Sequence, residues 1–384
     1  VEGGHKILQL KMISRKSISE LLQVVILMLS IWYLTRLILK LIATRRCMKK
    51  EQDLFFLYTD NLKDEIRPFE KIKQGKTRMF SGSPFIMLLL FRKYFGSFMD
   101  EFCHMNLNVG SAIGINPYGN DWNTLASKLL RFSKSSDEEC IGAGDFSSFD
   151  CSQQVEILNR ILTIINDWYG LNPRETYIRM CLWSEITSSR HIYDDKLYFW
   201  YNSLPSGNPL TAIVNTMYNN IAFRCCWISM GLDPMLFNKN VYLVALGDDN
   251  IFSVSDKYRE KFNEITLSVH MAKIGLKYTN ENKSISFVKL RPIYEVSFLK
   301  RSFRFEKIVN RWVAPISLET ISNELDWTKK IDSNAISKDK AMIAIRELSL
   351  HGKAKFDKHF EDIKNAVRDN IDSVPPTGGW PRDW

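Results

Sequence analysis

Two short apolar runs, residues 241–245 and 251–254, flank Gly247-Asp248-Asp249-Asn250. Apolar, β-favouring residues on both sides of a Gly/Asp/Asn cluster predict a β-hairpin. Its turn then carries consecutive carboxylates, which repel one another unless a cation sits among them. A chain that keeps such a pair at a sheet edge either exposes it as an ordinary turn or uses it to hold metal. The same choice arises upstream. Residues 140–144 read as a strand running into Asp145, which puts that carboxylate at a sheet rim. Asp150 follows near the start of a helix predicted over residues 153–169. If the hairpin packs beside this strand, Asp145 and Asp248 converge, and carboxylates at one edge suit a pair of Mg²⁺ ions. Taken singly, each motif also reads as solvated loop acids.

Two further segments carry polar side chains at telling spacings. In Ser206-Gly207-Asn208-Pro209-Leu210-Thr211, a Pro/Gly loop feeds a helix, and Thr211 and Asn215 share one helical face. Neutral hydrogen-bonding groups there suit a sugar hydroxyl; Thr211 as a plain N-cap is the alternative. Residues 61–84 read as a basic, Gly/Pro-punctuated loop, in which Lys63, Arg67, Lys71 and Arg78 make either a track for phosphates or a solvated charged loop. Residues 85–105 have helical apolar spacing, residues 197–201 alternate like a strand, and three charged helices follow residue 317.

Charge is uneven along the chain. Of the 52 Lys/Arg and 43 Asp/Glu, residues 1–80 hold 16 and 8, so the basic excess is concentrated where a polyanion or an anionic membrane surface would be met. Within it, residues 21–35 lack charge and the apolar pattern extends to residue 43. A membrane helix over 21–43, a buried core or interface helix, and a stretch foreign to the working protein remain open. The run is not followed by a small-residue cleavage site of a signal peptide, and the first residue, Val1, fits a piece of a longer precursor. Seven cysteines, odd in number and without a C-x-x-C, argue against a disulfide framework or a cysteine zinc site.

In order and spacing the motifs resemble those of RNA-dependent RNA polymerases of positive-strand RNA viruses, in particular the picornavirus-like group with its dicistrovirus and iflavirus enzymes. KDEIRPFEKIKQGKTR is similar to motif F and GDFSSFD to motif A. NSLPSGNPLTAIVNTMYNN is similar to motif B, ALGDDN to motif C, AKIGLKYTNENK to motif D and VSFLKRSFR to motif E. The likeness runs over residues 60–375 or so. It implies an α+β right-hand fold: a palm of antiparallel sheet and helices, fingers, and a helical thumb. The corresponding divisions are a hydrophobic and basic segment 1–50, fingers with motif F at 51–102, palm at 103–180, a fingers insertion at 181–203, palm at 204–305 and thumb at 306–384.

The resemblance also assigns roles. Asp145 and Asp248, assisted by Asp249, would hold two Mg²⁺, for which Mn²⁺ can substitute. Asp150 and Asn215, helped by Ser206 and Thr211, would recognise the ribose. Lys63, Arg67, Lys71 and Arg78 would line the channel by which nucleotides arrive. Lys283, otherwise an ordinary surface lysine, would protonate departing pyrophosphate. Lys300 and Arg301 would hold backbone phosphate, while Phe298 and Leu299 read as core. The implied partners are RNA template and primer, ribonucleoside triphosphates and other viral replication proteins, in host cytoplasm or on replication membranes. The region ahead of motif F is shorter than in the family, which leaves a second reading: a truncated or relic polymerase that binds RNA without copying it.

Overall fold

The computed structural model describes residues 55–370 except 66, 68, 171, 283–287 and 327–333. The membrane-helix reading of residues 21–43, and Lys283, lie outside the described residues. Among the described residues no helix is long and apolar enough to cross a membrane.

The basic stretch read as a loop contains structure. Strands β1 (Leu57–Leu62) and β2 (Met79–Gly82) pair antiparallel around a five-residue helix, α1 (Phe69–Lys73). Gly75, with a positive φ of 63°, marks a turn between strands too short and polar to show an apolar pattern. Helix α2 (Phe85–Met105) buries Met87, Leu90, Phe91, Tyr94, Phe95 and Phe98, the stripe its spacing predicts. Helix α3 (Asp121–Leu129) buries Trp122, Leu125, Ala126 and Leu129 in the same manner.

Strand β3 (Ile141–Ser147) carries Asp145. Helix α4 (Val155–Tyr169) starts two residues later than its sequence pattern suggests and stops at Gly170, whose positive φ of 75° needs no Cβ accommodated. Helix α5 (Pro173–Thr187) begins with proline after Asn172, whose side chain accepts from the Glu175 N–H. It leads into strands β4 (Ser188–Tyr193) and β5 (Lys196–Tyr201). Next come α6 (Thr211–Ser229), the short α7 (Phe237–Asn240), and the expected hairpin of β6 (Val241–Leu246) and β7 (Asp249–Val254). A capping box between Asn263 and Thr266 starts α8 (Glu264–Lys273), followed by β8 (Lys277–Asn280). Two small hairpins, β9 (Ser297–Phe298) with β10 (Arg301–Ser302) and β11 (Arg304–Glu306) with β12 (Arg311–Val313), precede helices α9 (Leu318–Asp326), α10 (Asn334–Ser349) and α11 (Lys353–Asn370).

The central sheet has order β6-β7-β3-β8, all antiparallel. One face packs Phe146, Phe252 and Tyr278 against α4, α6 and α8; the other packs Ile141, Ala143, Val244 and Ile251 against α3 and the β9–β10 hairpin. Its glycines are dictated by rings from neighbouring strands. A Cβ on Gly142 would overlap Phe252, and one on Gly144 would overlap the Tyr278 hydroxyl. A second sheet, β2-β1-β4-β5, joins the basic segment to residues 188–201 through the parallel β1–β4 pair.

Candidate active site

Pairing of β3 with β7 sets Gly144 opposite Asn250, so Asp145 sits at the edge of that ladder, next to the β6–β7 turn. Leu246 opposite Asp249 leaves Gly247 and Asp248 as the two loop residues, and Gly247 supplies the positive φ of 64° that such a turn requires. Asp145 is 3% exposed; its Oδ1 accepts from the Phe146 N–H at 2.7 Å and its carbonyl from Thr279 Oγ1 at 3.1 Å. Burial first, and the Asp145 charge second, push the Asp248 carboxyl well above the usual carboxylate range. The two acids therefore converge, as the hairpin packing implies.

They line a cleft of about 710 Å³ together with Asp249, Arg78 and Lys300. Among the described residues no group of three or more His, Cys, Asp or Glu side chains is arranged to hold a metal ion on its own. The carboxylates instead make an open edge of hard oxygen donors. That donor set fits Mg²⁺, which keeps several water or phosphate ligands of its own.

Helix α6 fixes the turn. Thr216 Oγ1 accepts from the Gly247 N–H at 3.0 Å, and Asn219 Nδ2 donates to the Gly247 and Asp248 carbonyls at 3.1 and 3.2 Å. One turn earlier, Asn215 Nδ2 donates to Asp150 Oδ1 at 2.7 Å, while Gln153 Nε2 donates to Asn215 Oδ1 at 2.6 Å. Burial raises the Asp150 carboxyl, opposed by the Asn215 hydrogen bond and then by the charges of Arg78 and Lys63. Those two cations are thus within electrostatic reach of the Asp150–Asn215 pair. Asn219 and Gln153 escaped the sequence reading. Asn219 was findable, since it continues the four-residue spacing of Thr211 and Asn215.

Ser206 and Thr211 act on the loop itself. Ser206 Oγ accepts from the Ser81 N–H at 3.0 Å, and Thr211 Oγ1 donates to the Pro205 carbonyl at 2.6 Å. Leu210, not Thr211, occupies the N-cap position. A Cβ at Gly207 would overlap the Ser81 carbonyl, so this loop lies directly on β2.

The basic residues divide. Lys63 N–H donates to the Arg78 carbonyl at 2.8 Å, while Arg67 bridges to Glu65 at 3.2 Å and donates to the Lys76 carbonyl. Lys71 stands exposed on α1 and is not among the residues lining the cleft. Lys300 is exposed at the tip of the β9–β10 hairpin, where Leu299 and Lys300 both hold positive φ, 54° and 62°. Non-glycine residues there are strained. Arg301 departs from the phosphate-gripping role implied for it. Its Nη2 and Nη1 donate to the Glu347 carboxylate at 2.7 and 2.9 Å, and Nη1 also meets the Ala314 carbonyl. Glu347 is 4% exposed and its other neighbour is the Tyr118 hydroxyl, so releasing Arg301 to RNA would strand a buried charge. Arg301 ties β10 to α10. Phe298 is core, stacked on Trp122, as expected.

The sequence reading also missed a sealed polar line in the second sheet. Ser189 Oγ and His191 Nε2 lie 2.8 Å apart, and His191 Nδ1 lies 2.9 Å from Asp60. The order matches a hydrolase triad, but Ser189 and His191 are fully buried and Asp60 is 3% exposed. No substrate reaches it; it crosslinks β1 and β4, with Tyr198 of β5 also donating to Asp60.

A family profile described as viral RNA-dependent RNA polymerase matches residues 32–365. The chain is 37% identical over 319 residues to the replicase polyprotein of Drosophila C virus, covering 79% of this chain and 18% of that protein. It is 35% identical over 332 residues to the replicase polyprotein of Cricket paralysis virus, covering 82% of this chain and 18% of that protein. Among solved structures it is similar to the Sicinivirus 3Dpol RNA-dependent RNA polymerase, with a TM-score of 0.72 and 21% identity, covering 87% of this chain and 66% of that one. That likeness shows the fold, an α+β right hand, as the motif order implies.

Proposed function

The chain belongs to the viral RNA-dependent RNA polymerase family, and from that premise we propose that it adds ribonucleotides to an RNA primer as directed by an RNA template, in viral genome replication. The observation that carries the proposal is the convergence of Asp145 and the Asp248 turn at one cleft rim, clamped from behind by Thr216 and Asn219. A relic that only bound RNA would gain nothing by holding like charges together against their repulsion.

Asp145, Asp248 and Asp249 would hold two Mg²⁺ or Mn²⁺. Bound there, the metal supplies charge neutralisation at the α-phosphate and at the departing pyrophosphate, and favours the ionised primer 3′-hydroxyl. The chain's own groups do the rest. Lys63 and Arg78 neutralise the triphosphate on its approach to Asp150, with Arg67 and Lys71 further out along the basic segment. Asp150 and Asn215 offer an acceptor and donors to the ribose hydroxyls, and the Asn215 bond to Gln153 fixes which way its amide points. Ser206 and Thr211 keep the loop pressed on β2. Lys283 is the proposed proton donor to pyrophosphate, and Lys300 the contact to RNA backbone.

The replicase polyproteins it resembles suggest other viral replication proteins as partners. Membrane contact through residues 21–43, in host cytoplasm or on replication membranes, completes the proposal. The test is nucleotide selection on an RNA primer–template. The parent should extend with ribonucleotides and strongly disfavour deoxyribonucleotides, whereas Asp150→Ala should narrow that preference by about tenfold or more, as loss of a buried hydrogen-bonding partner implies. Equal use of both sugars by the parent would defeat the assignment.

A further inference from the structure

A cavity of about 380 Å³ opens beside β6, between the C-terminal turn of α3, α6 and α7. Lys128, Arg131 and Arg224 line it, and no Asp or Glu does. Two of them grip one residue: Arg131 Nη2 donates to the Asn238 carbonyl at 2.9 Å and Arg224 Nη2 to its Oδ1 at 3.0 Å. Lys128 and Arg131 share the Tyr242 ring, 6.0 and 5.2 Å from its centre. Among the described residues, no ion pair involves any of the three.

Cations set side by side without an acid cost the fold free energy. Burial lowers the pKa of all three, and the Arg131 charge lowers that of Lys128 further. Arg259 and Arg291, by contrast, each meet a carboxylate. The hydrogen bonds already made leave donors spare. Arg131 uses only Nη2, on the Asn238 and Val241 carbonyls, and Lys128 uses one N–H on Asn108, so Nε and Nη1 of the first and two N–H groups of the second remain.

We propose that this cavity is a binding site for a phosphate monoester or free phosphate, held by Lys128, Arg131 and Arg224. A dianion with three acceptor oxygens matches three cations lining one cavity better than the single charge of each phosphodiester in an RNA backbone. A cavity of about 380 Å³, with Tyr242 and Phe237 among its lining, suits a small headgroup rather than a continuous strand. The ligand is either soluble or the headgroup of a lipid. The inference is independent of the catalytic reading, since no proposed catalytic residue lines the cavity.

The test uses the full chain in EDTA, with inorganic phosphate titrated at fixed ionic strength and thermal unfolding followed. At ten times the half-saturating concentration the midpoint should rise by about 2 °C. Lys128→Met and Arg131→Gln should each abolish most of that rise. Lys128→Met keeps most of the length of the side chain and removes its charge and one hydrogen bond to Asn108, so it carries the comparison if Arg131→Gln does not fold. A second arm offers phosphatidylcholine vesicles containing either phosphatidic acid, a monoester, or phosphatidylglycerol, a diester. Co-sedimentation with phosphatidic acid alone, lost in Lys128→Met, assigns the site to a lipid; a phosphate response without vesicle binding assigns it to a soluble ligand. A rise equally large in parent and variants overturns the proposal. So does the absence of any phosphate or vesicle response together with weakened RNA binding in the variants, which would make the cations part of an RNA track.

Discussion

Replacing Asp248 by asparagine should stabilise the metal-free protein while removing its proposed activity. The side chain keeps its shape but loses the charge that opposes Asp145. The Asp248 carboxyl is lifted from an ordinary 3.8 to about 7, by burial first and by Asp145 second. At about 1.4 kcal/mol per tenfold, that rise bounds the cost of ionising it in the folded state at about 4 kcal/mol, and screening in an open cleft leaves about 1–2 kcal/mol. A carboxyl with a raised folded pKa binds its proton more tightly when folded. Its destabilising effect is therefore absent below the unfolded value, grows as pH rises, and is complete above about 7. In EDTA at pH 8, Asp248→Asn should melt about 1–3 °C above the parent; near pH 4 the difference should vanish. Adding Mg²⁺ should raise the parent's midpoint and leave the variant's nearly unmoved. Differential scanning calorimetry across that pH range is the assay. An Asp248→Asn protein equal to or less stable than the parent at pH 8 without metal would refute the claim that these carboxylates are held together at a cost.

Two other outcomes follow from contacts around the cleft. Gly207→Ala forces a methyl into the Ser81 carbonyl, so the loop must leave β2; primer extension should fall by about tenfold or more with a stability loss of about 1–3 kcal/mol, and wild-type extension rates would show the close approach to be irrelevant. Arg301→Gln strands the buried Glu347 carboxylate and should cost about 3 kcal/mol or more, read as a lowered melting midpoint, with affinity for an RNA duplex little changed; weakened RNA binding at an unchanged midpoint would restore the phosphate-gripping role.

The parts legible in the sequence are those specified locally. The α2 stripe, the Asp145 strand, the β6–β7 hairpin and the three terminal helices each carry their own period or turn signal. Convergence of Asp145 and Asp248 was legible because a hairpin with adjacent acids has few ways to sit beside an apolar strand. What stayed hidden depends on partners distant in the chain. Strands β1, β2 and β4 are short and polar, and β1 becomes a strand through its parallel pairing with β4, Leu57 opposite Arg190. Arg301 looked like a cation for RNA because Glu347, which claims it, lies 46 residues away. Neither Leu299 nor Lys300 advertises the positive φ that shapes the turn they occupy. The clamp by Asn219 could have been read, since it repeats a spacing already noticed.

In the proposed function, ribonucleotides are joined to RNA at the Asp145–Asp248 rim. Primer extension on a short RNA hairpin with Mg²⁺ and ribonucleotides, parent beside Asp248→Ala, tests it most directly. The parent should extend the primer as the template directs and the variant not at all, with nearly equal RNA binding by both. Extension by Asp248→Ala at the parent's rate would contradict the proposal.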